Sequence, residues 1–112
     1  MEIHDERIGG TWVVTAKGRL DGNASAEFAH RVGGLIESPN PKLLIDFADV
    51  EFVTSAGVWA ILLLSKKIKS AGGSFALCGV RDSVCEVLDV SGFTSMLSIH
   101  PARAEAIAAI RN

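Results

Sequence analysis

Strand-like and helix-like segments alternate along this chain of 112 residues, which predicts a single α/β domain spanning 1–112, with a mixed central sheet of about four to five strands packed by about four helices. Three observations carry the prediction. The run Leu43-Leu44-Ile45-Asp46-Phe47 is apolar at all but one position, the pattern of a strand covered on both faces. An apolar helical pattern follows from Ser55 to about Ala71, closed by Gly72-Gly73, a pair suited to the left-handed turn at a helix end. Ser74 to Cys78 then reads as another strand, and a right-handed βαβ crossover sets it beside Leu43–Phe47 and parallel to it.

The remaining elements fall into place around that unit. Ile3 to Ile8 and Thr11 to Ala16 are β-prone runs on either side of Gly9-Gly10, the pattern of a hairpin. The stretch Gly18-Arg19-Leu20-Asp21-Gly22-Asn23 reads as a turn ending in good capping residues. Ala24, Phe28, Val32, Leu35 and Ile36 then mark one face of a first helix, whose last turns Gly33-Gly34 weaken. Pro39-Asn40-Pro41 breaks the chain before the buried strand. After Asp49, Val50 to Val53 returns to the core. Arg81 to Leu88 reads as a short third helix with Asp82 or Ser83 as its cap and Ser91-Gly92 as its stop. Met96 to Ile99 supplies a last strand. Pro101, at a first-turn position, opens a final helix with Ile107 and Ile110 facing inward.

Composition narrows the function. With a net charge of -2 and a pI near 5.9, the chain carries no broad basic surface, which argues against nucleic acid as a partner. Lys66, Lys67 and Lys69 form the one tight basic cluster, read as a solvated helix end set against the dipole. The charged segment Met1 to Arg7 has no signal pattern, and Val58 to Leu64 is far too short to span a bilayer, so a cytoplasmic protein without membrane insertion is expected. Cys78 and Cys85 are too few and too oddly placed for a disulfide framework or zinc site and read as buried thiols. His4, His30 and His100 show no ligand spacing. No metal, cofactor or catalytic residue is expected.

The function is read from Thr54-Ser55-Ala56-Gly57, where a buried strand passes into the apolar helix. Either Thr54 or Ser55 suits the N-cap, its side-chain oxygen accepting from amides of the first turn. A phosphate on such an oxygen would sit at the positive end of the helix dipole, so the site can change charge without unfolding. Val58, Trp59, Ile61, Leu62, Leu63 and Leu64 surround more than one helix face, which leaves apolar surface for a partner. Trp59 is open to either role, core or contact. An enzyme with Ser55 as nucleophile finds no support, because neither an adjacent base nor a Gly-x-Ser-x-Gly elbow is present.

These residues carry a resemblance. Asp46 to Gly57, together with Gly18-Arg19-Leu20-Asp21, Ala71-Gly72-Gly73, Cys78-Gly79-Val80 and Val90-Ser91-Gly92-Phe93, resembles the STAS domain of bacterial anti-sigma factor antagonists over nearly the whole chain. The resemblance implies a protein that binds a cognate anti-sigma factor, a serine kinase with a histidine-kinase-like ATP site, and so releases a sigma factor. It further implies Ser55 as phosphoacceptor, with Thr54 as the alternative hydroxyl, standing where the family's commonest pattern has aspartate. The partner-binding surface it implies comprises Asp21, Asn23, Thr54, Ser55, Ala56, Gly57, Val58 and Trp59. Asp21 and Asn23 have a competing role as turn and cap of the first helix, and Asp46 as a strand-end cap. The alternative function is an unphosphorylated STAS subunit of a phospholipid transporter or stress-signalling scaffold; a homodimer stays open.

Overall fold

The computed structural model describes residues 1–36, 39–90, 92 and 97–111. A five-stranded sheet in the order β1-β2-β3-β4-β5 follows the chain order of its strands, β1 (Glu2–Ile8), β2 (Thr11–Leu20), β3 (Lys42–Val53), β4 (Ser74–Cys78) and β5 (Ile99–His100). β1 and β2 form the antiparallel hairpin expected around Gly9-Gly10, and the other neighbours are parallel, so the sheet is mixed. Among the described residues four helices complete it: α1 (Gly22–Gly33), α2 (Ser55–Ser70), α3 (Asp82–Val90) and α4 (Arg103–Arg111).

Strand alternation divides the core between the two faces of the sheet. Val14, Leu43, Ile45, Phe47 and Leu77 pack with Phe28 and Val32 of α1, Val58, Ile61 and Leu64 of α2, and Val84 and Leu88 of α3. Their sequence neighbours Val13, Leu44, Ala76 and Cys78 point the other way, onto Ala106 and Ile110 of α4. This is why the sequence of β3 is apolar at consecutive positions: it is covered on both sides.

The structure corrects several expectations. β2 continues through Leu20, so the turn read at Gly18–Asn23 begins only at Asp21, and β3 is one strand to Val53 with no break at Asp49. Both corrections have one cause. Thr15 pairs with Asp46 but Lys17 with Asp49, and Gly18 pairs with Val50 but Arg19 with Phe52, so β3 carries two more residues than β2 over the same length. Such bulges let Phe47, Val50 and Val53, three residues apart, all face the helices. Gly18, at φ +112, takes a conformation at this irregularity that side chains rarely adopt.

Asp46 is interior to β3 and not a strand-end cap; its carboxylate accepts from Arg103 at 3.0 Å and from the Ala48 amide at 3.0 Å. Arg103 also reaches Thr15 and Glu6, pinning the start of α4 to three strands. Pro101 lies before α4, where the Ala102 carbonyl accepts from the Ala106 amide. Leu35 and Ile36 lie beyond the end of α1 and are half-buried against the core, because the chain leaves the helix after Gly33. Cys78 is buried as expected, whereas Cys85 is half-buried. The expected strand from Met96 is observed only as Ile99–His100; Met96, like Ser91 and Phe93 of the motifs, lies outside the described residues.

Candidate functional site at the start of the second helix

The carboxyl end of β3, the middle strand of the sheet, delivers Thr54 and Ser55 to the end of the sheet where the parallel strands finish. Thr54 is the N-cap of α2, extended at φ -93 and ψ 175. Its hydroxyl accepts from the Gly57 amide and donates to the Leu20 carbonyl, each at 3.4 Å, and its own amide donates to the same carbonyl at 3.1 Å. Thr54 thus ties the ends of β2 and β3 to the first turn of α2. Ser55 is the first residue inside the helix, so its side chain is released from capping. It is exposed, and no described residue bonds its hydroxyl.

Gly57 sets how closely α2 approaches. A Cβ there would stand 2.5 Å from the Leu20 carbonyl oxygen, 2.9 Å from Leu20 Cγ and 3.0 Å from Val53 Cγ1. Only a residue without a side chain lets the helix start this near the sheet. Gly57 and Val58 are buried, so of the residues implied as partner-binding these two shape the surface from below and do not form it. Ala56 and Asn23 are exposed, and Trp59 is 59% exposed, which makes it a surface residue.

Asp21 caps α1, its Oδ1 accepting from Asn23 and Ala24 at 3.1 and 3.0 Å. It follows Leu20, whose carbonyl holds Thr54, so the two helix starts are adjoined through one peptide. Asp21 and Asn23 line a hollow of about 390 Å³ with Arg19 and Glu27. Ser55 lines a separate groove of about 340 Å³ with Ser83, Glu86, Val87 and Val90 of α3. A third groove, of about 220 Å³, runs between α1 and α2 and is walled by Trp59 and Leu63 over small residues such as Ala26, Ala29 and Ala56.

Sequence reasoning missed Phe52, Val87 and Val90. Phe52 is 44% exposed beneath the Arg19 guanidinium, 5.0 Å from its ring centroid, and Val90 is 89% exposed. Val90 carries a legible signal, an aliphatic residue at the helix end beyond the core positions Val84 and Leu88. Phe52 looked like core because β3 was read without its bulges.

In form this is an α/β domain with a hydroxyl at a helix start that no described residue engages, and exposed apolar side chains before it in sequence, one turn after it and across the groove from it. Among the described residues no group of His, Cys, Asp and Glu could hold a metal ion, and no helix is long and apolar enough to cross a membrane. The chain belongs to the STAS domain family, whose model matches residues 2–106. It is similar to BtrV of Bordetella bronchiseptica, a protein that carries the name anti-sigma factor antagonist, with 22% identity over 111 residues, 99% of this chain and 96% of that protein. It is also similar to the anti-sigma F factor antagonist of Paenibacillus polymyxa, at 26% identity over 108 residues, 96% of this chain and 92% of that one. The crystal structure of an anti-sigma factor antagonist from Mycobacterium paratuberculosis shares the fold with a TM-score of 0.88, at 22% identity, over 99% of this chain and 94% of that one.

Proposed function

We propose that this protein is an anti-sigma factor antagonist: it docks through the edge around Ser55 on a cognate anti-sigma serine kinase, frees a sigma factor, and is switched off when that kinase phosphorylates Ser55. The observation that carries the reading is the division of labour between two adjacent hydroxyls. Thr54 is engaged in the cap, while Ser55 is exposed, bonded by no described residue, one turn before exposed Trp59 and in one groove with Val87 and Val90. Family membership and the names borne by the two relatives support it.

The off-switch follows from charge. A phosphoserine brings about -1.5 to -2 charges at pH 7. On the free protein these are solvated and favoured by the α2 dipole. On docking they would be covered by apolar surface, and an unpaired anion there costs several kcal/mol, enough to weaken a complex by roughly 10²-fold or more. The protein acts as ligand and substrate and performs no chemistry of its own.

The test pairs the protein and ATP with each purified anti-sigma kinase of its own genome and maps the modified residue by mass spectrometry. Labelling of Ser55, loss of labelling in Ser55→Ala, and a complex weakened by roughly 10²-fold in Ser55→Glu are expected. Stable binding without labelling points instead to a constitutive STAS subunit. Labelling at Thr54, or unchanged affinity for Ser55→Glu, rejects the mechanism.

A further inference from the structure

We propose that Glu86 couples α3 to the charge carried at position 55, so that modifying Ser55 also loosens the apolar rim that α3 lends to the docking surface. The inference rests on Ser55 being the modified residue and concerns what the charge does once it is there.

Ser55 and Glu86 line the same groove, so an anion on Ser55 shares that groove with the Glu86 carboxylate. At about 10 mM salt, where the Debye length is about 30 Å, charges facing one groove are little screened from each other. Among the described residues Glu86 is the one charged residue lining that groove, and it forms no ion pair. Among the described residues no cation lines the groove to receive the new charge. Asp82 and Asp89, about one turn to either side on α3, are acidic as well, and the Arg81 guanidinium is directed to the Ala48 carbonyl at 3.1 Å. On the α2 side the neighbours Ala56 and Trp59 are uncharged, which leaves only the helix dipole in compensation.

α3 has little to resist this repulsion. It has nine residues, of which Val84 and Leu88 alone are fully buried, and a helix that short depends on packing for its existence. Val87 and Val90 ride on it as the far wall of the groove. Two unit charges on the order of 7 Å apart in water interact by about RT before screening, so at about 10 mM salt a single charge at position 55 shifts the opening of α3 by about twofold and a dianion by more.

The test is hydrogen exchange of the α3 amides, read by mass spectrometry on the full chain. Ser55→Asp is compared with its uncharged isostere Ser55→Asn, each with Glu86 intact and with Glu86→Gln; exchange in β4 serves as the reference for global stability. With Glu86 intact and at about 10 mM salt, Asp at position 55 is expected to speed α3 exchange by about twofold over Asn. The difference is expected to fall below about 1.5-fold in Glu86→Gln and at ~1 M salt. Equal exchange for Asp and Asn with Glu86 intact, or a difference that survives Glu86→Gln, overturns the proposal. Neither outcome requires a kinase, so failure of this coupling and failure of the phosphorylation reading are separately visible.

Discussion

Two glycine-to-alanine substitutions, both inside helices, are expected to change stability in opposite directions. Alanine is the better helix former by about 1 kcal/mol, and on propensity alone both changes should stabilise. At Gly33 near the end of α1 the new methyl would meet Lys67 Nζ at 3.6 Å and Leu64 Cδ2 at 3.9 Å, ordinary contact distances. At Gly57 the same methyl would meet a backbone oxygen at 2.5 Å, short of ordinary contact by about 0.9 Å, and that oxygen is also the acceptor for Thr54. Relief requires α2 to back away from β2, which stretches the 3.1 Å bond from Thr54 to Leu20 beyond its useful range. Overpacking of this kind costs about 1–3 kcal/mol and the lost bond about 1 more, so after the propensity gain Gly57→Ala is destabilised by roughly 1–3 kcal/mol. Urea titration reads this as a lower midpoint at constant slope, and for a domain of this size the melting temperature falls by roughly 4–12 °C. Gly33→Ala should move the other way by up to about 1 kcal/mol. If Gly57→Ala were as stable as the parent, the close seating of α2 on Leu20, which fixes Thr54 as cap and frees Ser55, would be refuted.

Three further outcomes are expected. Thr54→Val keeps the β-branched shape but loses the oxygen that serves Gly57 and Leu20, and urea titration should show a loss of about 1 kcal/mol, whereas Ser55→Ala should lie within about 0.5 kcal/mol of the parent. Trp59→Ala should leave the melting curve nearly unchanged, because the side chain is mostly exposed, yet weaken the proposed complex with an anti-sigma kinase by roughly tenfold or more in a calorimetric titration. Burial, with the Asp46 carboxylate beside it and Arg103 opposing, pushes the Cys78 thiol from 9.0 up to about 11. The unfolded chain then releases this proton first, so stability is untouched below about pH 9 and falls between 9 and 11 by roughly 2–3 kcal/mol. Urea midpoints across that window, compared with Cys78→Ala, would show a shallower alkaline decline in the variant.

Much of this architecture was legible where one local rule decides it. The apolar runs at Leu43–Phe47 and Ser74–Cys78 declared two covered strands, and Gly9-Gly10 and Gly72-Gly73 declared the turns between elements. What was not legible depends on pairing. Nothing in Phe47, Val50 and Val53 announces a strand, because apolar residues three apart read as neither period; they share a face only through the register shifts against β2. The break read at Asp49 was a bulge seen without its partner. Likewise Asp46 looked like punctuation at a strand end, since its partner Arg103 lies 57 residues away.

The site shows the same boundary between local and tertiary information. The tetrapeptide Thr54-Ser55-Ala56-Gly57 is enough to announce a helix start, but two hydroxyls in succession leave the cap undecided, and the roles cannot be exchanged. A residue at the cap has extended backbone and aims its oxygen back at the first-turn amides; the next residue is already helical and aims outward. Which of the two takes the cap is decided by the Leu20 carbonyl at the end of β2, which accepts from both the amide and the hydroxyl of Thr54. An aspartate in that place could cap α2 but could not donate to Leu20, so threonine here adds a tie between strand and helix that a carboxylate lacks. The exposure of Ser55 is therefore a consequence of how β2 ends, which ties the proposed switch to the hairpin side of the sheet as firmly as to the helix that carries it.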